Sequence, residues 1–186
     1  MPNWCSNTFE VQASKKQIDE FENFLEKNEG KKWFDFFLPT PSELQETTSP
    51  NNDLENVDSL VEKYGAADWY SWNVNNWGTK WNCDAQDWTR SNDNTISFYF
   101  DSAWSPPTAL YEFITDEIKF DGMVISATYF ESGMCFVGQF IDGSDEYYEY
   151  SDLESLDDIP ESLVDDYGIR EMIEEQLEFD EENENE

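Results

Sequence analysis

The N-terminal part of the chain changes from an alternating pattern to a helical one. Polar and apolar residues alternate over residues 7–12, NTFEVQ, which predicts a β-strand. Ser14 follows with Gln17 in the position that completes a capping box, and apolar residues then recur at helical spacing up to Gly30. These residues therefore predict a strand followed by an amphipathic helix.

A tryptophan-rich stretch at residues 31–78 interrupts this order. Prolines and a polar run divide it into short pieces. Apolar spacing predicts one short helix over residues 54–64, ended by Gly65, and another over residues 68–78. We interpret the whole stretch as a largely helical insertion.

From residue 79 onward the pattern returns to a period of two. Residues 79–84 predict a strand that pairs with a second strand at residues 95–101, across the turn residues SNDN. Ser105 and the two prolines after it predict the start of a helix, with Ser105 as its cap. The remaining strands are expected at residues 123–130, 134–141 and 146–150.

The order of these elements is strand, helix, insertion, strand, strand, helix, strand, which is the order of a split βαβ unit. We therefore predict an α+β fold in which residues 1–141 form a ferredoxin-like sandwich with the helical, Trp-rich insertion at residues 31–78. Residues 142–186 are predicted to form a separate acidic, helical appendage.

The charge of the chain is extreme for a protein with so many aromatic residues. It has 10 Lys and Arg against 43 Asp and Glu, a net charge of −33, yet 17% of its residues are aromatic. Disordered acidic chains lack such aromatic content, so this protein is expected to fold. Its field repels phosphate backbones and anionic membranes, which argues against direct binding of nucleic acid or membrane. A basic protein would be attracted.

The acids are most concentrated in residues 142–186, which hold 20 acids and one base. Apolar residues recur there at helical spacing on both sides of Gly168, so two helices are expected to dock on the domain with their acids facing water. The residues after Phe179 are expected to fray into a disordered tip.

Eight acids of this segment are the predicted partner-binding residues, acting as surrogates for phosphate toward Arg and Lys. They are Asp152, Glu154, Asp157, Asp158, Glu171, Glu174, Glu175 and Glu178.

The sequence contains few candidate residues for catalysis or metal binding. Histidine is absent, which excludes Ser-His and Cys-His nucleophiles and histidine metal ligands. The stretch at residues 142–153 fails as a calcium-binding loop, because Tyr147 stands where glycine is needed and Leu153 where a bidentate Glu belongs. No phosphate-binding glycine motif occurs. We therefore predict no catalytic residues, no metal site and no cofactor.

The cysteines and the absence of a long apolar run point to a cytoplasmic protein. Cys5, Cys83 and Cys135 are few, odd in number and far apart, which is typical of buried thiols in a reducing compartment. The sequence shows neither a signal peptide nor a membrane span.

The tryptophans allow two interpretations. Residues 75–88 and their Trp neighbours could form a platform on which bases or sugars stack. The alternative, which we favour, is a Trp-rich core that joins the insertion to the sheet, with Trp33 and Trp104 as members.

Three short motifs of the chain resemble those of a known protein family. The segments MPNWCSN at residues 1–7, NWGTKW at residues 76–81 and FDSAWSPP at residues 100–107 resemble the YubB-type family of plasmid and phage proteins with a ferredoxin-like domain. The resemblance covers roughly residues 1–141. It implies an origin in a mobile element and the same fold, and it supplies no catalytic residues.

These observations lead to a non-enzymatic phage or plasmid accessory protein as the predicted function. Its acidic surface would bind a basic host protein in the host cytoplasm, such as a nucleic-acid-binding defence enzyme, as an inhibitor or DNA-mimic decoy. One alternative is a structural or accessory protein-interaction module whose charge only gives solubility. Another is an enzyme that uses carboxylates and a metal. A homodimer is expected if an apolar stripe is left uncovered.

Overall fold

A six-stranded antiparallel sheet organises the chain, with the strand order β2-β3-β1-β4-β5-β6. The computed structural model describes residues 2–28, 30–53, 56–84, 88–118 and 122–184. The strands are β1 (Trp4–Gln12), β2 (Trp88–Asn92), β3 (Thr95–Ala103), β4 (Val124–Glu131), β5 (Phe136–Ile141) and β6 (Ser144–Glu149). The α-helices are α1 (Lys15–Lys27), α2 (Ser42–Gln45), α3 (Val57–Tyr64), α4 (Trp69–Trp77), α5 (Thr108–Phe113), α6 (Glu161–Asp166) and α7 (Ile169–Glu184). The predicted α+β class is confirmed.

Local signals account for the ends of several helices. The Ser14 and Gln17 capping box is present at the start of α1. The Asp68 carboxylate accepts the Ser71 N–H at 2.8 Å and caps α4. Helices α3 and α4 end at Gly65 and Gly78, whose positive φ angles of 71° and 91° suit a residue without a side chain. The helices expected from apolar spacing are confirmed, although residues 54 and 55 lie outside the described part of the chain.

Two predictions around the middle of the chain are wrong. Residues 79–84 form no strand apart from an isolated bridge between Lys32 and Asp84, and β3 pairs instead with Trp88–Asn92. Hydrogen bonds of the Thr79 and Asn82 side chains hold residues 79–84 in an irregular path. The alternation of polar and apolar residues in this stretch therefore reflects which side chains are anchored and which are exposed, and does not indicate a paired strand. Ser105 does not cap a helix, because its hydroxyl donates to the Gly78 carbonyl at 2.6 Å and α5 begins at Thr108.

One face of the sheet packs on the main hydrophobic core. Phe9 of β1 stacks on Tyr111 of α5, with ring centroids 5.0 Å apart. Trp33, from the insertion, stacks on Phe98 of β3 at 4.2 Å. Trp72 and Trp77 of α4 are buried in the same core. The insertion is therefore part of the core and completes one side of the sandwich.

The opposite face of β4 and β5 is covered by the C-terminal segment. Val137 and Phe130 pack there against a second group of apolar side chains. Tyr167 stacks on Phe130 at 4.9 Å, and its hydroxyl and that of Thr128 lie 2.9 Å apart. The other members of this second core are Tyr150, Leu156, Ile159, Leu163, Val164 and Ile169. The segment is thus held by apolar packing, while its acids face outward.

The segment is not helical throughout. It begins with β6, which pairs with β5 along its full length. Helix α7 also continues past Phe179 to Glu184, where the sequence pattern predicted fraying. Side-chain bonds help the last turns, since the Asn183 amide donates to the Phe179 carbonyl at 2.7 Å. Residues 185 and 186 lie outside the described residues.

Replacing Gly138 with alanine is expected to destabilise the sheet by at least about 2 kcal/mol. The ring of Tyr129 lies over Gly138 from the neighbouring strand, so a new Cβ would overlap this ring and the Glu146 carbonyl oxygen. The Tyr129 hydroxyl donates to Asp145 at 2.9 Å, which hinders the ring from moving away. Urea unfolding measures the loss.

Gly133→Ala is the matched control for this substitution. Its new methyl group would meet the end of the Asn3 side chain, which can move aside. If the two variants unfold at the same urea concentration, the close packing of Tyr129 on Gly138 does not matter to stability.

Candidate functional site

The three segments that carry the family resemblance meet in one place. The buried Asn7 amide donates to the Cys5 carbonyl at 2.7 Å and to the Ser102 hydroxyl at 2.9 Å. The Tyr111 hydroxyl donates to the Asn7 side-chain oxygen at 3.3 Å. The Thr79 hydroxyl donates to the Ala103 carbonyl at 2.9 Å. Buried hydrogen bonds of this kind tie the start of β1, the loop after α4 and the end of β3 into one unit.

Gly78 allows two backbone segments of this unit to approach each other closely. A side chain there would lie 3.1 Å from the Pro106 carbonyl oxygen and 3.2 Å from the Thr108 nitrogen. The positive φ of Gly78 adds a second reason for glycine at this position. The loop after α4 can therefore pack directly against the start of α5.

Trp104 has a strained backbone at the end of this unit. Its φ angle is 67°, in the left-handed region, which costs about 1–3 kcal/mol for a residue with a side chain. Its N–H donates to the Asn3 carbonyl at 3.0 Å, which helps to hold that conformation. The side chain of this strained residue is 38% exposed, and strained residues are frequent at functional sites.

The unit presents three tryptophans at the surface, which we call the tryptophan cluster: Trp4, Trp81 and Trp104. Their side chains remain 50%, 38% and 38% exposed, respectively. The ring centroids of Trp4 and Trp81 are 6.1 Å apart, and those of Trp81 and Trp104 are 6.3 Å apart. The prediction that Trp104 belongs to the core is therefore wrong, whereas it is right for Trp33.

Lys80 places a positive charge over the tryptophan cluster. Its ammonium group lies 4.5 Å from the ring centroid of Trp81 and 5.1 Å from that of Trp104. The negative faces of the indole rings attract a cation at such distances. Sequence reasoning missed this arrangement because nothing in the spacing of Lys80 and Trp104 brings them together.

A pocket of about 440 Å³ opens beside the cluster. It is lined by Trp4, Lys32, Trp81, Asn82, Cys83, Asp84, Tyr99, Phe100, Asp101 and Ala103. Lys32 pairs with Asp84 at 2.6 Å. Asp101 accepts a hydrogen bond from the Ser6 hydroxyl at 3.1 Å. The pocket thus combines aromatic walls with carboxylates.

The thiols near this pocket are poor nucleophiles. Burial raises the pKa of Cys5 to about 12, and burial also raises the pKa of Cys83 well above its usual value. Both thiols are therefore protonated at neutral pH, whereas the thiolate is the reactive form. Cys83 contributes its shape to the pocket and offers no activated nucleophile.

The eight predicted partner-binding acids are all exposed. Glu171, Glu174, Glu175 and Glu178 are spaced three, one and three residues apart on α7, which places them on one face of the helix. Every salt bridge within the described residues lies between residues 15 and 93, so none involves these eight carboxylates.

The other four acids lie before α6, at the short 3₁₀ segment Glu154–Asp158. Asp152 has a local structural role there, since its carboxylate accepts the Ser155 N–H at 2.9 Å. This backbone hydrogen bond lowers the pKa of Asp152. We call the four acids of α7 the acidic face and treat the 3₁₀ acids separately.

The described residues contain no group of three or more Cys, Asp or Glu side chains arranged to hold a metal ion. In the same part of the chain, none of the helices has both the length and the apolar content required to cross a membrane. Leu177 and Phe179 of α7 are exposed apolar side chains, and the homodimer stays a prediction.

Comparisons with known proteins add little to this picture. No protein-family model and no curated protein matches the chain. The crystal structure of a protein api92 from Yersinia pseudotuberculosis, described as DUF1281, is similar to 81% of this chain and 99% of its own, with 11% identity and a TM-score of 0.42. So low a score and identity support no argument about fold family or function.

Proposed function

We propose that this protein is a non-enzymatic binding protein whose acidic face docks on the basic, nucleic-acid-binding surface of a host protein and blocks it. The observation that carries the proposal is the set of four glutamates on one exposed face of α7. No salt bridge among the described residues neutralises them. Their charge is therefore available to an outside cation.

The spacing of the acidic face supports mimicry of a nucleic acid. A helix rises about 1.5 Å per residue, so Glu171 and Glu178 are separated by roughly 10.5 Å along the axis. Four carboxylates over that length give one charge about every 3.5 Å. Measured along the axis of duplex DNA, one strand carries one phosphate about every 3.4 Å. The axial charge density of the acidic face is therefore similar to that of one DNA strand.

The way α7 is anchored also supports the proposal. Ile169 is fully buried in the second core, and Gly168, with a positive φ of 59°, directs the chain into the helix. A helix held at its start presents its charges with less loss of conformational entropy on binding than a loose tail would. The acidic face is therefore a preorganised surface.

The finer fold and the family belong to the same proposal. The order β2-β3-β1-β4, with β1 antiparallel to both neighbours, supports a ferredoxin-like unit that β5 and β6 extend. The convergence of residues 1–7, 76–81 and 100–107 supports the resemblance to the YubB-type family, since the three motifs that carry the resemblance build one local unit. An origin in a phage or plasmid follows from that resemblance.

A second candidate function is an interaction module in which the acids only give solubility. The tryptophan cluster favours it, because exposed aromatic side chains on a rigid support are typical of the centres of protein interfaces. The two candidates differ in which surface a partner needs.

Neutralising the acidic face is expected to slow the association with a basic partner about tenfold or more, because charge complementarity mainly raises the association rate. The variant carries Glu171→Gln, Glu174→Gln, Glu175→Gln and Glu178→Gln. Binding to a panel of purified basic DNA-binding domains is measured by biolayer interferometry at low and high salt, with duplex DNA as a competitor.

A control variant separates the acidic face from total charge. It removes the same number of charges at exposed acids elsewhere: Glu26→Gln, Asp58→Asn, Glu62→Gln and Glu112→Gln. We expect its association rate to change less than threefold, roughly as for charges outside an interface. If no domain binds at low salt, or if both variants lose binding equally, the acids only give solubility.

A further inference from the structure

The pocket beside the tryptophan cluster has the features of a ligand site. Its volume of about 440 Å³ falls within the range of roughly 300–1,000 Å³ that is usual for such sites. It is formed by β1, β3 and residues 81–84, whereas the acidic face belongs to α7. A ligand of the pocket would therefore use different side chains from those of the acidic face.

The sheet arranges three of the pocket residues, Trp4, Tyr99 and Asp101, on one face. Tyr99 and Asp101 are two residues apart on β3 and share a face, and Ser6 of β1 is directly opposite Asp101. Trp4, two residues before Ser6, lies on this face too. The register between β1 and β3 thus places aromatic rings and a carboxylate side by side on a rigid support.

The charge of the pocket favours a cation. Among the described residues, the charged side chains that line it are those of Lys32, Asp84 and Asp101. Lys32 pairs with Asp84, while no salt bridge in the described part of the chain reaches Asp101. One negative charge is therefore left for a ligand to neutralise, and indole and phenol faces add further attraction for a cation.

Lys80 shows that the tryptophan cluster makes cation–π contacts. Its ammonium group already lies over Trp81 and Trp104 and within 5.7 Å of the Tyr70 ring centroid. Trp81 also lies beside Trp4 and lines the pocket together with Asp84 and Asp101. Lys80 is not one of the residues that line the pocket, so a second cation in the pocket need not displace it.

We infer that this pocket binds the guanidinium group of an arginine side chain from a partner protein. A guanidinium is planar, so it stacks on an aromatic ring, and its fork of N–H donors matches a carboxylate such as that of Asp101. A lysine ammonium stacks less well and pairs at one point. Phosphate-bearing ligands are disfavoured by the net charge of −33.

This inference goes beyond the proposed function and does not depend on it. The acidic face attracts a basic surface through long-range charge, whereas the pocket selects one side chain by shape and hydrogen bonding. Neutralising the acidic face leaves the pocket intact, and a substitution in the pocket leaves the acidic face intact.

The test titrates the ¹⁵N-labelled full chain with N-acetyl-arginine amide, a lysine analogue and a citrulline analogue, and follows the indole N–H resonances by NMR. We expect arginine to shift the resonances of Trp4 and Trp81, lysine to do so at about tenfold higher concentration, and neutral citrulline to have no effect. The resonance of the buried Trp33 serves as the internal control.

Two variants assign the site. Asp101→Asn is expected to weaken arginine binding about tenfold, because it removes a charge-assisted hydrogen bond. Asp116→Asn, an exposed acid outside the pocket, and the neutralised acidic face should bind arginine like the unchanged protein. Thermal unfolding checks that Asp101→Asn is folded, and the comparison of arginine with citrulline on the unchanged protein needs no variant.

Several outcomes would overturn the inference. Equal shifts from arginine and citrulline would show that charge has no part in binding. Shifts of Trp4 and Trp81 on titration with methyl glucoside but not with arginine would make the pocket a sugar site. Unmoved indole resonances throughout the arginine titration would show that the pocket does not bind this side chain.

Discussion

Replacing Trp33 with alanine is expected to lower the free energy of unfolding by about 3–5 kcal/mol. The side chain is 1% exposed and packs against aromatic rings on several sides. Its centroid lies 4.2 Å from that of Phe98, 4.6 Å from that of Phe37 and 5.4 Å from that of Phe9. The cavity left by alanine would separate the insertion from the sheet, and urea unfolding followed by circular dichroism measures the cost.

Trp81→Ala is the matched control for this prediction. Trp81 has the same chemistry but lies at the surface, so its replacement should cost less than about 1 kcal/mol. If Trp81→Ala costs as much as Trp33→Ala, the tryptophan cluster is part of the structural core. Such a result would also weaken the case for a ligand site there.

Removing residues 151–186 is expected to abolish cooperative folding. The removed part contains five buried apolar side chains, each contributing about 1.5–3 kcal/mol as an upper estimate. They are Leu156, Ile159, Leu163, Val164 and Ile169. Their sum, about 7.5–15 kcal/mol on this upper estimate, is comparable to the total stability of a typical domain, about 5–15 kcal/mol. Thermal unfolding and size-exclusion chromatography measure the result.

A milder variant tests the same contacts without a deletion. Leu163→Ala should cost about 2–5 kcal/mol, since Leu163 is buried against the sheet, whereas Leu177→Ala, at an exposed position of α7, should cost little. A truncated chain that unfolds at the temperature of the full chain would show that the segment is a separable appendage. The separable part would then begin after β6, near residue 151.

If truncation unfolds the chain, deleting the acidic segment cannot serve as a test of the proposed function. Deletion of residues 142–186 would remove β6 and uncover Phe130 and Val137 of the sheet. Loss of partner binding after such a deletion would follow from unfolding as well as from loss of charge. Neutralising the acidic face by Glu→Gln exchange keeps the shape of α7 and therefore gives the clearer result.

Part of the fold could be predicted because its signals are local. The capping box at Ser14, the glycine at residue 65 and the alternation of β4 each depend on residues only a few positions apart. The strand predicted at residues 79–84 was wrong for the opposite reason. Its alternation arises from contacts with residues 34 and 103, which no local pattern contains.

The candidate site was predictable only in part. The concentration of acids after residue 142 is a property of the sequence, and so is the three- and four-residue spacing of the acids on α7. The tryptophan cluster was foreseen only as the less favoured stacking platform at residues 75–88, and its pocket was missed, because Trp4, Trp81 and Trp104 come from segments far apart in the chain. In the sequence, a tryptophan that alternates with polar residues gives the same pattern whether the tertiary structure buries its side chain or leaves it exposed.

By itself, the sequence determined the charge of −33, the absence of histidine chemistry and the α+β class, since composition and short-range spacing need no tertiary contact. Only the tertiary structure decided that Trp33 is buried while Trp104 is exposed, and that the C-terminal segment covers the second face of the sheet. The physical reason is that periodicity shows which side chains share a face, whereas burial depends on what the rest of the chain places against that face.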